Sequence, residues 1–324
     1  MEILITGGAG YIGSHVSHLL IDKGYKITII DSLITGNKNL IPKKANFIKC
    51  DIGNNKKIGN ILKRKNFQIV LHFAGLIRVD ESVKFPKKYI FNNYRKSKVF
   101  IKNCIQNGIK NIIFSSTAAV YGNPKKKSVN ENDKLKPLNA YAKSKLMIEK
   151  YILSENKKDN LNYIILRYFN VAGADIKMRT GLISKQSTHL IKILSEVASK
   201  KKKKLLINGN NYKTIDGTPV RDFIHVSDLA DIHFRSMQYL LKNNKSQTFN
   251  CGYGIGYSVL SIVKLANKLF SNKINYEFGP RRKGDSEYIV SNSNKFRKII
   301  KWKPKYNNIK IILASAIKWE KKLK

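Results

Sequence analysis

Short apolar runs alternate with longer amphipathic runs along the first half of the chain, up to about residue 170. One amphipathic run, YIGSHVSHLLIDKG, has apolar residues at helical spacing and ends at Gly24. A second, from Pro86 to Gly108, predicts a long helix. The apolar runs predict buried strands at EILIT, KITIID, NFIKCD, QIVLHFAG, KNIIFSS and LNYIILRYFN. Buried strands that alternate with helices predict an α/β fold with a doubly wound, parallel sheet of the Rossmann type.

The alternation becomes irregular beyond residue 170, where the runs ADIKMRTGLISKQS and NYKTIDGTP are loop-like. We therefore predict a dinucleotide-binding domain over residues 1–170 and a smaller, C-terminal substrate-binding lobe over residues 171–324. Regular runs reappear between residues 220 and 252, and this segment could return to the first domain.

A glycine-rich turn follows the first predicted strand. Gly7, Gly10 and Gly13 lie in TGGAGYIGSH, between that strand and the first helix. Glycines let the backbone approach a pyrophosphate, and the helix N-terminus supplies N–H groups and a positive dipole. Asp31 closes the second strand, where a carboxylate accepts ribose hydroxyls and repels a 2′-phosphate. The pattern predicts an NAD site; the alternative is a tight turn without a ligand.

The ends of the next two strands supply further candidates for the dinucleotide. Asp51 and Ile52 close the third strand and are placed to meet an adenine ring. Asp51 could equally be the N-cap of a helix. The fourth strand ends in small residues that permit close contact with a dinucleotide, in the sequence Phe73, Ala74 and Gly75.

Tyr141 and Lys145 are the strongest candidates for chemistry. The unperturbed pKa of a tyrosine is about 10, and a lysine one helical turn away favours the phenolate. Because lysine is common in this chain, three other tyrosines also have a lysine at this spacing: Tyr94, Tyr121 and Tyr306. Only Tyr141 opens a helix-like run and follows a strand that ends in Ser/Thr. The pair, together with this context, predicts a general base at Tyr141.

The chain has 62 Lys and Arg against 21 Asp and Glu, a formal net charge of +41. The lysines are scattered, with one block at residues 200–204, and no aromatic residues are interleaved with that block. This pattern predicts weak binding of polyanions and no specific nucleic-acid function. No apolar stretch is long enough to span a membrane. The first predicted strand starts at residue 1 and leaves no room for a signal peptide, so we expect a cytoplasmic protein.

The three cysteines, Cys50, Cys104 and Cys251, are widely spaced and form no CxxC pair. They are predicted to be buried thiols in a reducing compartment, and no metal site is expected.

Several motifs together resemble a known family. TGGAGYIGSH, LHFAG, FSSTAAVYG, YAKSK, RYFNVAGA, GTPVRDFIHVSDLADIH and RRKGD occur in this order. The chain resembles the extended short-chain dehydrogenase/reductases over its whole length, and within them the UDP-sugar 4-epimerases. That resemblance implies NAD-dependent interconversion of UDP-glucose and UDP-galactose through a 4-keto intermediate. It also implies a homodimer joined by helices near residues 86–107 and 140–157.

The resemblance also assigns residues. Tyr141 would be the base, Lys145 would orient it and the nicotinamide ribose, and Thr117 would hydrogen-bond the sugar hydroxyl. Contacts to NAD are implied for Tyr11, Ile12, Asp31, Ser32, Asp51, Ile52, Phe73, Asn92 and Phe169. Contacts to the UDP-sugar, with the arginines on phosphates, are implied for Asn170, His189, Leu206, Asn208, Arg221, Arg282, Asp285 and Ile289.

The chain departs from the family pattern at Lys96, where a glycine is usual, and at Asn208, where an aromatic residue is usual. Ala118 and Ala119 follow Thr117 where related dehydratases have an acidic pair, which favours simple epimerisation. Two alternatives remain at this stage. One is a 4-epimerase of another UDP-sugar, such as UDP-N-acetylglucosamine or UDP-glucuronate; the other is a non-catalytic protein that binds polyanions.

Overall fold

The computed structural model describes residues 1–159, 161–184, 186–270 and 274–323. Its strands, in chain order, are β1 (Glu2–Thr6), β2 (Lys26–Asp31), β3 (Asn46–Lys49), β4 (Phe67–His72), β5 (Asn111–Thr117), β6 (Asn162–Tyr168), β7 (Asn170–Ala172), β8 (Leu205–Asn208), β9 (Val220–His225), β10 (Gln247–Cys251), β11 (Gly256–Ser258), β12 (Tyr276–Gly279) and β13 (Tyr288–Ile289). Seven of these form one sheet in the order β10-β6-β5-β4-β1-β2-β3, with every neighbouring pair parallel. The predicted doubly wound parallel sheet is thereby confirmed.

The helices, in chain order, are α1 (Tyr11–Asp22), α2 (Asn55–Lys63), α3 (Val79–Lys84), α4 (Pro86–Tyr89), α5 (Lys96–Gln106), α6 (Ala140–Asp159), α7 (Leu190–Ala198), α8 (Val226–Asn243), α9 (Val259–Leu269), α10 (Asn294–Ile300) and α11 (Ile309–Lys322). A π-helical segment, Ile90–Arg95, joins α4 to α5. The predicted helix from Pro86 to Gly108 is therefore present, with a π turn in its middle. None of the helices within the described ranges combines the length and apolar character that crossing a bilayer requires.

The central strands are buried on both faces, because their residues contribute alternately to two apolar cores. In β1, Ile3 and Ile5 belong to one core, which also contains residues of α1 and α8. Leu4 belongs to the other core, with residues of α2, α5 and α6. This alternation at a period of two is what a sheet covered by helices on both faces requires.

Two smaller sheets lie outside the central one. In the first, β9 pairs in parallel with β7 and β13 and in antiparallel with β11. The second consists of β8 and β12. Within residues 220–252, β9 thus belongs to a small sheet, whereas β10 pairs with β6 at the edge of the central sheet. The domain boundary at residue 170 remains a prediction.

Several element boundaries differ from the sequence prediction. The run NFIKCD leaves the sheet at Lys49, so Asp51 lies two residues beyond β3. The helix α2 was not predicted, because its sequence NKKIGNILK has few apolar residues. Its N-cap is Asn54, whose side chain accepts the N–H of Lys57 at 3.0 Å. The alternative interpretation of Asp51 as a helix N-cap is therefore wrong.

Candidate active site

The glycine turn after β1 brings α1 close to the sheet. Gly7 has φ = +73°, and a Cβ at this position would lie 2.6 Å from the backbone nitrogen of Ala74. A Cβ at Gly13 would lie 2.3 Å from the carbonyl oxygen of Gly7. Only glycine fits these two positions. The helix α1 begins after Gly10 without a side-chain cap, so its first N–H groups are free to bind an anionic group such as a pyrophosphate.

Asp31 lies beside this turn, at the end of β2. Its Oδ2 accepts the N–H of Ala9 at 3.0 Å, and its Oδ1 accepts the N–H of Leu33 at 2.8 Å. Burial raises the pKa of Asp31, and the two hydrogen bonds only partly oppose that rise. The carboxylate is thus fixed next to the glycine turn. Ser32 follows it in the chain, and its hydroxyl accepts the N–H of Ile34 at 3.4 Å.

The residues predicted to contact adenine lie after β3. Asp51 accepts the N–H of Gly53 at 2.8 Å and forms an ion pair with Lys96 at 2.5 Å. Burial raises the pKa of Asp51, but these bonds outweigh it, and the pKa is lowered overall. Ile52 is buried in the apolar core beside it.

The π turn supplies a residue that the sequence reasoning missed. Asn93 accepts the N–H of Leu76 at 2.8 Å and donates to the carbonyl oxygen of the same residue at 2.9 Å. The predicted contact residue Asn92 donates to Asn93 at 3.1 Å. Asn93 therefore fixes the chain that follows Gly75 at the end of β4.

The three predicted catalytic residues lie together at the end of β5 and the start of α6. Thr117 is the last residue of β5, and its side chain lies close enough to the hydroxyl of Tyr141 to lower the pKa of that phenol. Lys145 is buried and donates to the carbonyl oxygen of Ser115 at 2.8 Å. A Cβ at Gly75 would lie 3.5 Å from its Nζ, so the dinucleotide side of the site adjoins this lysine.

Burial is the main cause of the pKa shifts of Lys145 and Tyr141. Desolvation lowers the pKa of Lys145 to about 8, although the charge of Glu149 opposes the shift. Desolvation raises the pKa of Tyr141, and the side chain of Thr117 lowers it only in part. The sequence argument expected Lys145 to favour the phenolate. Burial outweighs that effect, and the pKa of Tyr141 lies above its ordinary value.

A buried polar network that the sequence did not indicate lies beneath the site. Arg167 forms a two-pronged ion pair with Glu149, with distances of 3.1 and 2.7 Å. Ser116 also donates to Glu149, and Arg167 donates to Tyr121 at 2.9 Å. Desolvation lowers the pKa of Arg167, but the hydrogen bonds and charge of Glu149 outweigh it and hold the pKa above its ordinary value. The network anchors α6 to β5 and β6, behind Tyr141.

The charged residues predicted for the UDP-sugar lie near one another. Arg221 donates to the carbonyl oxygens of Val220 at 2.9 Å and Ser286 at 2.6 Å. Its pKa is lowered by desolvation, while the charge of Asp285 opposes the shift. Arg282 lies 3.8 Å from Asp285 in an ion pair. The two guanidinium groups thus lie near the same carboxylate, and such a pair of arginines suits a diphosphate.

Other predicted residues lie near these charged groups. Tyr11, Asn170 and His189 line a small cavity of about 30 Å³. Desolvation and the charge of Arg282 lower the pKa of His189. Ile289 is paired with Arg221 across β13 and β9.

Ile289 also packs in a buried apolar cluster with Phe169, Ala118 and Tyr121. The cluster therefore places the predicted sugar-pocket residue next to the residue that follows Thr117. The remaining two predicted residues, Leu206 and Asn208, lie on β8, where Leu206 is exposed and packs against Gly279.

Tyr212 was not predicted to be a site residue, although it lies near the charged residues Arg221, Arg282 and Asp285. The guanidinium carbon of Arg281 lies 4.2 Å from the centre of its ring. The charges of Asp285, Arg221 and Arg282 all reach its hydroxyl. The run NYKT gave no periodic signal in the sequence. The ring lies near these charged residues because of contacts between distant segments of the folded chain.

Comparisons with known proteins show which proteins this chain is similar to. A UDP-glucose 4-epimerase from Lactobacillus helveticus is 40% identical over 99% of this chain and 97% of its own length. The structure of UDP-glucose 4-epimerase from Bifidobacterium longum in complex with NAD+ and UDP has a TM-score of 0.95 at 32% identity, covering 100% of this chain and 99% of that one. The structure of the UDP-Glc/GlcNAc 4-epimerase from Campylobacter jejuni has a TM-score of 0.85 at 39% identity, covering 99% of each chain.

The family described as NAD dependent epimerase/dehydratase matches residues 3–252. This match covers more than half of the chain, including the glycine turn and all three catalytic candidates. The chain therefore belongs to the NAD-dependent epimerase/dehydratase family.

Proposed function

We propose that this protein is an NAD-dependent 4-epimerase of UDP-hexoses that interconverts UDP-glucose and UDP-galactose. The observation that carries the proposal is the placement of Tyr141 and Lys145. The first lies beside the side chain of Thr117, and the second lies against Gly75 at the proposed dinucleotide side of the site. A base, its orienting cation and a cofactor site thus meet at one point.

The residues of the glycine turn fit NAD, because Gly7 and Gly13 admit only a close backbone contact and α1 offers uncapped N–H groups. When bound, NAD supplies an acceptor for the hydride from C4 of the sugar and returns that hydride to the opposite face. Asp31 would hold the adenosine ribose, and Phe73, Ala74 and Gly75 would lie along the dinucleotide.

The reaction follows from the positions of the side chains. Thr117 and Tyr141 would hydrogen-bond the 4-hydroxyl of the sugar, and Tyr141 would take its proton and later return it. Lys145 would hold Tyr141 and stabilise the developing phenolate with its charge. Arg221 and Arg282 would bind the diphosphate, so that the keto-sugar stays attached while its ring turns over.

Simple epimerisation is favoured over elimination of water by the residues that follow Thr117. Ala118 and Ala119 form a short 3₁₀ turn with Val120 and Tyr121, and neither alanine can act as an acid or base. The hydroxyl of Tyr121, in the same turn, is engaged elsewhere, because it donates to Asn250 at 2.7 Å and accepts from Arg167 at 2.9 Å.

The direct test is to incubate the pure protein with UDP-glucose, UDP-galactose, UDP-N-acetylglucosamine and UDP-glucuronate, and to identify the products. Interconversion of the two hexoses, with NAD bound to the protein as purified, is the expected result. Interconversion of only another pair would establish the first alternative substrate class. Purified protein without NAD and without turnover would favour the non-catalytic, polyanion-binding alternative.

Asp31→Ala is expected to weaken the retention of NAD and to reduce the discrimination against NADP about tenfold or more. The ribose would lose a charged acceptor, and a 2′-phosphate would lose a repelling charge. The measurement is the dissociation rate of each dinucleotide from the variant and from the wild type. Unchanged retention of NAD, or NADP in the wild-type protein as purified, would show that Asp31 is not the ribose ligand.

The range of UDP-sugars that the enzyme accepts depends on the residue at position 289. In the family resemblance, the position of Ile289 borders the C2 side of the sugar, and Ile289 packs here against Phe169 and Tyr121. An isoleucine is smaller than a tyrosine, and the similar protein from Campylobacter jejuni is described as acting on both UDP-Glc and UDP-GlcNAc. We infer that this enzyme turns over UDP-glucose well and UDP-N-acetylglucosamine weakly.

Ile289→Tyr is then expected to suppress turnover of UDP-N-acetylglucosamine at least about tenfold, while turnover of UDP-glucose is retained. Added bulk would clash with an acetamide and leave room for a plain hexose to rotate. The measurement is kcat/KM for both substrates. Equal loss of both activities would mean that Ile289 serves only packing.

We also infer a homodimer formed through α5 and α6. These helices border an open groove that carries half-buried Tyr94, Met147 and Tyr151, and exposed Leu153 lies on the same helix. Sedimentation should give twice the mass of one 37.0 kDa chain. The three buried, unpaired thiols are consistent with the reducing cytoplasm, where we expect the enzyme to act.

A further inference from the structure

Lys96 lies at the adenine end of the proposed cofactor site. Its Nζ is 2.5 Å from Oδ2 of Asp51 and 5.7 Å from the centre of the exposed Phe91 ring. The stem of Lys96 packs so closely on the loop after β3 that a Cβ at Gly53 would lie 2.7 Å from its Cγ. The ammonium group of Lys96 is therefore held by Asp51, and its aliphatic stem is held by the loop after β3.

The π turn explains how Lys96 reaches this loop. A π-helical segment contains one residue more than an α-helical turn would, which rotates the helix that follows. The segment Ile90–Arg95 places Asn93 toward the interior, where it binds Leu76 and Ser144. Lys96, the first residue after the turn, then faces Asp51.

An ordinary surface ion pair is the simpler explanation, and such pairs contribute little. Three features distinguish this pair. Its lysine side chain is only 20% exposed, its ammonium bonds a carboxylate at 2.5 Å, and that carboxylate also accepts the N–H of Gly53. These contacts fix the Asp51 carboxylate in a single orientation at the end of the sheet that carries the glycine turn.

We propose that Lys96 is a cofactor-positioning residue, which holds Asp51 in the orientation that accepts the amino group of the adenine ring. This inference rests on the proposed NAD site. A carboxylate has about four acceptor positions, of which Lys96 and Gly53 use two. The remaining positions can take the adenine amine without either bond being broken. Lys96 also neutralises part of the charge that Asp51 would otherwise expose to solvent when the site is empty.

The test compares two dinucleotides that differ at position 6 of the purine ring and in the protonation of the adjacent N1. NAD carries the amine, whereas nicotinamide hypoxanthine dinucleotide carries a carbonyl oxygen, which cannot donate to Asp51. The holoenzyme is loaded with either dinucleotide, and the rate at which the bound molecule is lost is measured during a chase with unlabelled NAD. The variants are Lys96→Met, Lys96→Arg, Asp51→Asn and the matched control Lys57→Met. Lys57 is a nearby lysine that donates to the carbonyl oxygen of Lys49 at 2.9 Å and does not bond Asp51.

We expect the wild type to lose the hypoxanthine dinucleotide about tenfold faster than NAD. Lys96→Met should speed the loss of NAD several-fold and leave the loss of the hypoxanthine dinucleotide nearly unchanged, so that the preference for NAD falls. Lys96→Arg should retain most of the preference, and Lys57→Met should behave as the wild type. A purely structural role would instead speed the loss of both dinucleotides equally.

The proposal is overturned if Lys96→Met keeps the preference or holds NAD longer, because Lys96 would then be a spectator or a competitor of the adenine amine. Asp51→Asn separates this failure from failure of the site itself. If Asp51→Asn reduces the preference and Lys96→Met does not, only the role of Lys96 is wrong. If neither variant changes the preference, Asp51 does not meet adenine, and the role of Lys96 falls with it.

Discussion

Replacing Tyr141 by phenylalanine should lower the rate of epimerisation about 10²–10⁴-fold, while the fold and the bound NAD are retained. The ring of Tyr141 keeps its packing in the variant, and the polar contact that is lost is the one with the side chain of Thr117. The variant has no phenol oxygen to take the proton of the 4-hydroxyl. The measurement is kcat with UDP-galactose, with the bound NAD quantified in the same sample.

The matched control for this prediction is Tyr94→Phe. Tyr94 also has a lysine four residues later, but it lies in the π turn and borders the groove between α5 and α6. Its replacement should leave kcat near that of the wild type. Turnover of Tyr141→Phe within a few-fold of the wild type, at equal NAD content, would refute the assignment of Tyr141 as the base.

The central sheet could be predicted, and the candidate catalytic residues could be proposed, because their signals are local in sequence. Apolar runs such as EILIT are buried on both faces, and this requires helices on both sides of the sheet. The glycine spacing at Gly7 and Gly13 has a steric cause, since a Cβ at either position would meet backbone atoms. Tyr141 was separated from the other tyrosines by the strand before it, and the structure places that strand and α6 side by side.

The features that could not be predicted depend on contacts between distant segments. The π turn gives no periodic signal, yet it decides that Asn93 holds Leu76 and that Lys96 meets Asp51. Tyr212 lies in an irregular run, and its ring packs against Arg281, which is distant in sequence. Such positions are fixed by tertiary packing, which overrides local preference.

The pKa values of Tyr141 and Lys145 also could not be predicted from the sequence. The spacing of Tyr141 and Lys145 suggested that the lysine lowers the pKa of the tyrosine, whereas burial raises the pKa of Tyr141 and lowers that of Lys145 to about 8. Burial is a property of the folded chain, and desolvation penalises the charged form of each group separately. The phenolate therefore depends on what binds in the site, beyond what these two residues supply.

Arg167→Met should destabilise the protein by about 3–5 kcal/mol, because Glu149 would be left as a buried charge without its partner. The side chains of Arg167 and Glu149 are 6% and 2% exposed, so solvent cannot replace the lost bonds. Ser116 would still donate to Glu149, but one neutral hydroxyl does not compensate a buried carboxylate. The measurement is the free energy of unfolding from denaturant titration, with saturating NAD in all samples.

Two further variants show whether this loss comes from the unpaired charge. The double variant Glu149→Met/Arg167→Met removes both charges and should recover most of the stability, as apolar replacements of buried pairs often do. Lys204→Met breaks an exposed ion pair with Glu277, whose side chains are 59% and 45% exposed, and should change the stability by less than about 1 kcal/mol. Glu149 also raises the pKa of Lys145, so the double variant should lower that pKa further and move the loss of the lysine charge to lower pH. A double variant as unstable as Arg167→Met would mean that shape and hydrogen bonding, rather than the unpaired carboxylate, account for the stability of this network.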